Sequence, residues 1–157
     1  MSSVTDSVEF EAAQQRWRYE VGRLILAFGE IEFGICQCLV HIPATNQWEA
    51  LKNEDLKVKA NAAIEHTQAS NLASSTKQRL IHALNSAMQM AKDRNLIAHN
   101  PLHLGIFTSE AGGVDFRLQV FSLRNPSIIM TIDQLSAVAE RATAVALELI
   151  VLAGEAA

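Results

Sequence analysis

Two side chains suited to acid–base chemistry lie close together in the stretch DRNLIAHNPL, residues 93 to 102. His99 carries an imidazole, the side chain that exchanges protons near neutral pH. Arg94 lies at the edge of an apolar helical stripe, so its stem can pack while its charged guanidinium reaches outward. Such a spacing also arises by chance in a chain of this composition. The elements around the pair must therefore decide between a catalytic and a structural explanation.

Apolar residues recur at helical spacing over about 7–41, 46–69, 76–99 and 131–153, and we predict helices there. The first helix follows a capping candidate, Asp6 or Ser7, and Pro101 ends the third helix near His99. Over about 103–123 the helical spacing of the apolar residues gives way to a strand-like pattern, which predicts a β-hairpin around the turn SEAGG. Residues 1–157 are therefore expected to form one all-α domain, an up-and-down bundle of four to five helices with a small β-hairpin insertion before the last helix.

Composition limits the classes of function. The chain is 49% hydrophobic with only 6% aromatic residues, which indicates an aliphatic helical core. We see no apolar run of membrane-spanning length, no signal peptide and no DNA-binding motif, so a cytoplasmic protein is expected. The net charge of −4 argues against a general nucleic-acid coat. The middle segment is nevertheless basic, and it offers Lys92 and Arg79 as substrate contacts or as parts of a solvated helix face.

Other kinds of site are not indicated. His99 and His103 have a four-residue spacing, but Pro101 lies between them and breaks the helix that would aim both at one metal. The glycine pair at 112–113 falls in the predicted hairpin turn and is not followed by a helix, unlike a phosphate-binding loop. We therefore predict no metal and no cofactor.

The segment RNLIAHNP resembles the R-N-x-x-x-H motif of the HEPN superfamily, the helical "higher eukaryote and prokaryote nucleotide-binding" domain. The resemblance extends over most of the chain, through a long first helix containing AFGEIEFGI, a motif at the end of a later helix, and a last apolar helix. It implies that Arg94 and His99 are a catalytic pair and that Asn95 is the polar residue of the motif. The first-helix glutamate would be Glu32, with Glu30 as the alternative, and we expect a structural role in which Arg94 is one candidate partner.

The resemblance also implies a function. Many HEPN proteins are metal-independent endoribonucleases, including toxins and phage-defence effectors, and they typically act as homodimers in which two motifs line one cleft. His99 would act as acid or base on the RNA 2′-hydroxyl, and Arg94 would stabilise the phosphate. An antitoxin or a nucleotidyltransferase is the kind of partner implied. The alternative is a non-catalytic dimeric helical module that binds a protein or a nucleotide, in which Arg94 pairs with Glu32 or the other subunit and His99 caps carbonyls.

Overall fold

The computed structural model describes residues 4–43, 45–108 and 112–156, which form five helices and a three-stranded sheet. The helices are α1 (Val4–His41), α2 (Trp48–Leu51), α3 (Leu56–Ala69), α4 (Ser74–His99) and α5 (Ile132–Glu155). The strands are β1 (Leu102–Thr108), β2 (Val114–Phe121) and β3 (Ile129–Met130). A mostly helical fold with a small antiparallel sheet before the last helix is therefore confirmed.

The core lies between α1, α3, α4 and α5 and is aliphatic. The most extensive contact is between α1 and α5, and α4 packs against both α3 and α5. The largest fully buried side chains are mostly leucine and isoleucine: Leu24, Ile31, Ile35, Leu39, Leu80, Leu84, Leu135, Leu149 and Leu152. Burial of these side chains is the main stabilising contribution to the bundle.

Contacts between residues show that α1, α3 and α5 run in one direction and that α4 runs in the opposite direction. Arg16 pairs with Asp133, and Gly34 lies against Leu149, so α1 and α5 run parallel. Arg79 pairs with Glu148 near the start of α4 and the end of α5, which makes those two helices antiparallel. The start of α3 lies beside Gly29 and its end beside Ile42, so α3 also follows α1. The up-and-down order expected from the sequence is therefore wrong, because the chain between α1 and α3 returns before α3 starts.

The second predicted helix is divided in two. Residues 46–69 contain α2 and α3, separated by residues 52–55. Asp55 causes the break, because its side chain accepts a hydrogen bond from the Val58 N–H at 3.0 Å and so begins a new helix. Lys59 then lies over the ring of Trp48, 5.4 Å from its centroid, and holds α2 against α3.

Several helix boundaries have a visible cause. The capping box before α5 is confirmed: the Gln134 N–H donates to the Thr131 hydroxyl at 3.3 Å, and the Thr131 N–H donates to the Gln134 side chain at 2.8 Å. The start of α1 differs from the prediction, since Val4 already belongs to the helix and Asp6 and Ser7 lie inside it. α4 begins at Ser74, two residues before the predicted start.

The predicted hairpin is present and is extended by a third strand. β1 and β2 pair antiparallel, with Leu102 opposite Val120, and the short β3 adds Met130 opposite Val120. Val120 and Met130 are buried, which fixes this end of the sheet to the bundle. Gly112 has a φ of +78°, as expected for the turn, whereas the rest of the predicted turn at 109–111 lies outside the described residues.

Within the described ranges, α1 is the one helix long and apolar enough to cross a membrane by length and composition. An 18-residue window in Val8–His41 has a mean hydropathy of 1.5, and 44% of that window is buried inside the protein. Glu30 and Glu32 interrupt the apolar run in this helix, which is why no continuous apolar run of membrane-spanning length is seen in the sequence. A core helix of a bundle passes the same test, so the finding is weak evidence for a membrane span.

The close approach of α1 and α5 at Gly34 leads to a stability prediction. A Cβ atom added at Gly34 would lie 2.7 Å from the Leu149 Cβ, so Gly34→Ala forces the two helices apart. We expect the free energy of unfolding to fall by about 1–3 kcal/mol, measured by urea denaturation. Gly154→Ala is the control, because nothing lies within 4 Å of the added Cβ. Equal stability of the Gly34→Ala variant and the wild type would contradict the packing described here.

Candidate functional site

His99 is the last residue of α4 and is exposed to solvent. The helix ends there because Asn100 is extended, with φ −130° and ψ 142°, and Pro101 has no N–H to donate. This confirms the predicted end of the helix. The imidazole is therefore held by a rigid element while its ring remains accessible.

His99 lines a cleft of about 920 Å³ between the end of α4 and the segment 122–128, which joins β2 to β3. We call this the His99 cleft. It is lined by Lys92, Asp93, Asn95, Leu96, His99, Asn100, Ser122, Leu123, Arg124 and Ile128. Its volume suits a ligand of nucleotide size. Lys92 and Arg124 contribute cations, and Leu96, Leu123 and Ile128 contribute apolar surface, a combination suited to a phosphate and a base.

Asn100 holds the two sides of this cleft together. Its amide Nδ2 donates to the Leu96 carbonyl at 2.8 Å, and its Oδ1 accepts from the Leu123 N–H at 2.8 Å. The Ser122 hydroxyl oxygen accepts from the N–H groups of Arg124 and Asn125 at 3.3 and 3.2 Å and so shapes the same segment. Asn100 thus fixes the position of the chain that carries Arg124.

Arg94 lies in a separate cavity of about 450 Å³, the Arg94 cavity, between α1, the start of α3 and α4. Its lining residues are Ile25, Phe28, Gly29, Glu32, Asp55, Leu56, Ala91, Arg94 and Asn95. The Nη1 atom of Arg94 donates to the Asn95 Oδ1 at 3.0 Å. The Nε atom is buried and has no hydrogen-bond partner in the described part of the chain. An unsatisfied buried donor of this kind is uncommon in folded proteins.

The two predicted catalytic side chains do not share a cavity. Five residues along a helix correspond to a rotation of about 140°, so Arg94 and His99 leave α4 on different sides. Asn95 lines both cavities and accepts the hydrogen bond from Arg94. The structure therefore brings His99, Asn95 and Lys92 together directly and connects Arg94 to them through Asn95.

Glu32 has a different partner from the one expected. Its carboxylate pairs with the ammonium of Lys59 at 3.5 Å, and the Glu32 side chain is 49% exposed whereas that of Lys59 is 7% exposed. Glu32 and Arg94 line the same cavity, but no ion pair joins them among the described residues. The Arg94–Glu32 pairing considered in the sequence analysis is therefore wrong. Glu32 instead compensates the buried ammonium of Lys59. Glu30, the alternative, is exposed on α1.

Of the two predicted substrate contacts, one is near the site. Lys92 is exposed and lines the His99 cleft. Arg79 lies on the same helix, about 22 Å along the axis from Arg94, and its Nε donates to Glu148 at 3.0 Å. The structure thus places Arg79 away from the candidate site, in a surface ion pair between α4 and α5.

Asp93 is a titratable group of the cleft that the sequence analysis did not single out. Burial raises the pKa of its carboxyl group, while the positive charges of Lys92 and Arg141 act in the opposite direction. The acidic side chain within the cleft is therefore partly balanced by cations from α4 and α5.

Arg124 and Asn100 are the other residues that the sequence analysis missed. Arg124 is far along the chain from the motif, and no periodicity marks the turn that returns it to α4. Asn100 carried a usable signal, because an asparagine directly after a helix and before a proline commonly uses its side chain in a backbone turn.

No group of three or more His, Cys, Asp or Glu residues suited to a metal ion occurs in the part of the chain that the structure describes. No protein-family model, curated protein or solved structure matches this chain.

The two hydrogen bonds of Asn100 predict a local effect of its removal. Asn100→Ala should lower the free energy of unfolding by about 1–2 kcal/mol and speed hydrogen exchange at the Leu123 amide, which loses its acceptor. Asn85→Ala is the matched control, because Asn85 donates only to the Ile81 carbonyl of its own helix. Unchanged exchange at Leu123 would show that Asn100 does not hold the segment.

The raised pKa of Asp93 predicts a pH-dependent stability difference. Because the pKa is higher in the folded state, this group destabilises the fold as pH rises through that value. Asp93→Asn should therefore match the wild type at low pH and melt at a higher temperature than the wild type near neutral pH. Asp133→Asn, at an exposed carboxylate paired with Arg16, should not show this pattern. A melting difference that does not increase between about pH 3 and pH 6 would contradict the assignment.

Proposed function

We propose that this protein is a metal-independent endoribonuclease of the HEPN type, with His99 as acid or base and Arg94 stabilising the phosphate. The observation that carries the proposal is the exposed imidazole of His99 in a nucleotide-sized cleft beside Lys92 and Arg124. A proton-transfer group next to two cations is what a phosphodiester substrate requires.

The reaction needs only side-chain chemistry. His99 takes the proton from a ribose 2′-hydroxyl, and the resulting oxygen attacks the adjacent phosphorus. The bond from phosphorus to the 5′-oxygen of the next nucleotide breaks, and that oxygen receives a proton from a second acid. The products are a 2′,3′-cyclic phosphate and a 5′-hydroxyl, with no water consumed. Cations at the phosphate stabilise the charge that develops on its oxygens.

The separation of Arg94 from His99 supports a reaction that uses two copies of the chain. In one chain the guanidinium lies in the Arg94 cavity and the imidazole lies in the His99 cleft. A homodimer in which two motifs line one cleft, as the resemblance implies, provides a second histidine to protonate the leaving oxygen. It also allows the arginine of one copy to act on the substrate of the other.

The distribution of charge is compatible with an RNA substrate at this end of α4. Lys92 and Arg124 lie in the cleft, whereas many of the acidic side chains of the first half of the chain lie on α1. Among the described residues that line the cleft, a phosphate backbone therefore meets two cations and the single carboxylate of Asp93.

The biological setting proposed with this activity follows from the same resemblance. We place the enzyme in the cytoplasm as a toxin or phage-defence effector controlled by a partner, an antitoxin or a nucleotidyltransferase.

A non-catalytic dimeric helical module is the second candidate function. It is favoured by the large apolar side chains that remain exposed, including Tyr19, Leu26 and Phe33 on α1 and Ile106 and Phe116 in the sheet. Clusters of such residues are typical of surfaces that bind other proteins. In this version Arg94 no longer has Glu32 as its partner, because Lys59 takes that role.

The test is cleavage of total RNA and of a short labelled RNA in the presence of EDTA. Wild-type protein should leave a 2′,3′-cyclic phosphate, and His99→Ala and Arg94→Ala should each lower the cleavage rate by at least about 100-fold with unchanged helical circular dichroism. His82→Ala and Arg79→Ala are matched controls, because both residues are exposed on α4 and lie outside the two cavities. Both controls should cleave at the wild-type rate.

The outcomes separate the two candidate functions. Cleavage that survives the His99→Ala substitution rejects the proposed catalytic role. No cleavage by a well-folded wild-type dimer favours the binding module. Since no ion pair joins Arg94 to Glu32, the Arg94→Ala variant should melt close to the wild-type temperature, so a loss of cleavage in it would not reflect unfolding.

A further inference from the structure

α1 has a second apolar stripe on the side opposite its core face. Tyr19, Leu26 and Phe33 recur every seven residues and are 64%, 71% and 53% exposed. Seven residues fall about 20° short of two full turns, so the three side chains lie nearly on one line along the helix. The buried Leu24, Ile31 and Ile35 lie about 140–180° around the axis from Leu26. We call the exposed line the outer stripe.

We propose that the outer stripe is a self-complementary surface through which two copies of this chain pair, with their α1 helices antiparallel and a two-fold axis at Leu26. This proposal does not depend on whether the protein cleaves RNA. In such a pair, a residue a given number of positions before Leu26 lies level with the residue the same number after it in the other copy. Tyr19 therefore meets Phe33 of the partner subunit, and the two Leu26 side chains meet at the axis.

The charges beside the outer stripe select the antiparallel arrangement. Arg18 and Arg23 precede Leu26, whereas Glu30 and Glu32 follow it. By helical rotation, Arg23 and Glu30 lie on one flank of the stripe and Arg18 and Glu32 on the other. A two-fold axis brings each flank against the same flank of the other copy. Arg23 then lies near Glu30 of the partner subunit, and Arg18 lies near Glu32 of the partner subunit. A parallel pair would instead place arginine near arginine and glutamate near glutamate.

Arg23 and Glu32 already have partners within the chain, at Glu20 and Lys59. Both side chains can form further hydrogen bonds, since a guanidinium has five N–H donors and a carboxylate accepts several hydrogen bonds. The intermolecular pairs would extend two existing ion pairs into networks across the interface.

The small residues beside the outer stripe allow the two helices to come close. Gly22 and Gly29 lie on the same flank, and nothing lies within 4 Å of a Cβ atom added at either position. In the antiparallel pair, Gly22 lies close to level with Gly29 of the partner subunit. The large side chains on the line and the glycines beside it give an alternation of protruding and recessed surface, as in packed helix pairs.

A membrane surface is the other environment that could cover an apolar helix face. Helices that lie on membranes combine an apolar face with a polar face rich in Lys and Arg. The outer stripe instead has acidic Glu30 directly beside it and carries opposite charges at its two ends. This arrangement matches a second copy and not an anionic lipid surface.

The test is the mass of the purified full chain in solution, by light scattering and sedimentation over a range of concentrations. The wild type should be a dimer, and Leu26→Glu should raise its dissociation constant on the order of 100-fold, because two leucines leave the interface and two carboxylates face each other. Circular dichroism of Leu26→Glu should be unchanged, since the side chain is exposed. Leu147→Glu is the matched control, at a leucine 65% exposed on α5, and it should remain a dimer.

A second measurement does not depend on disrupting the dimer. Leu26→Cys should form a disulfide-linked dimer under mild oxidation, because the two-fold axis brings the two positions together, whereas Leu147→Cys should not. The wild type provides the background from Cys36, which is partly exposed.

The proposal is overturned by a wild-type monomer at all concentrations, or by a dimer that Leu26→Glu leaves intact and Leu26→Cys does not cross-link. Binding to phosphatidylcholine vesicles that Leu26→Glu abolishes, with no dimer in solution, would also overturn it and assign the stripe to a membrane. A wild-type monomer would also remove the second copy that the proposed cleavage mechanism uses, whereas the His99→Ala assay tests the catalytic role of His99 separately.

Discussion

The junction after α4 is the constraint on which the candidate site depends. Pro101 cannot donate to the helix, and it excludes helical angles at Asn100, so α4 has to end at His99. Ending a helix leaves carbonyl groups unsatisfied, and the Asn100 side chain bonds one of them, that of Leu96. The same amide then accepts the Leu123 N–H. The Asn100 side chain thereby caps the helix that Pro101 ends, and it positions the segment after β2 that forms one wall of the cleft beside His99.

A second constraint concerns α1, which is apolar on two sides. One side is covered by α5, and the contact is close enough at Gly34 that the backbone itself contacts Leu149. The other side carries Tyr19, Leu26 and Phe33 toward solvent. A helix in a bundle of this size needs only one apolar face. The two faces together also explain why α1 resembles a membrane span in composition while 44% of its most apolar window is buried inside the protein.

The sequence was sufficient wherever a local rule determines the structure. The end of α4 followed from Pro101, the start of α5 from the Thr131 capping box, and the hairpin from the change of period before Gly112. The break between α2 and α3 was missed because Asp55 is an ordinary acidic residue until its side chain is known to accept the Val58 N–H. The direction of the helices could not be read at all. It depends on packing, which places the start of α3 beside Gly29 and its end beside Ile42, and not on periodicity.

The positions of some site residues follow from local rules, and the positions of others depend on packing. His99 and Lys92 could be placed because helix geometry relates them directly, whereas Arg124 enters the cleft only through the turn that Asn100 holds. Arg94 is one candidate partner for Glu32 in the sequence because a partly buried carboxylate on the first helix needs a partner. Lys59 on α3 forms the ion pair with Glu32 instead. Which of the two cations pairs with Glu32 depends on the relative positions of three helices, and the sequence does not give these positions.

The pairing of Glu32 with Lys59 affects which groups Arg94 can bind. A carboxylate paired with Arg94 would have neutralised the guanidinium and left it little reason to bind another anion. In this structure Arg94 lies beside a cavity, where its Nη1 donates to the neutral amide of Asn95 and its buried Nε has no hydrogen-bond partner among the described residues. Arg94 forms no ion pair among the described residues, although the carboxylates of Glu32 and Asp55 line the same cavity. The described residues therefore do not hold Arg94 in an ion pair, which is compatible with the phosphate contact proposed for it.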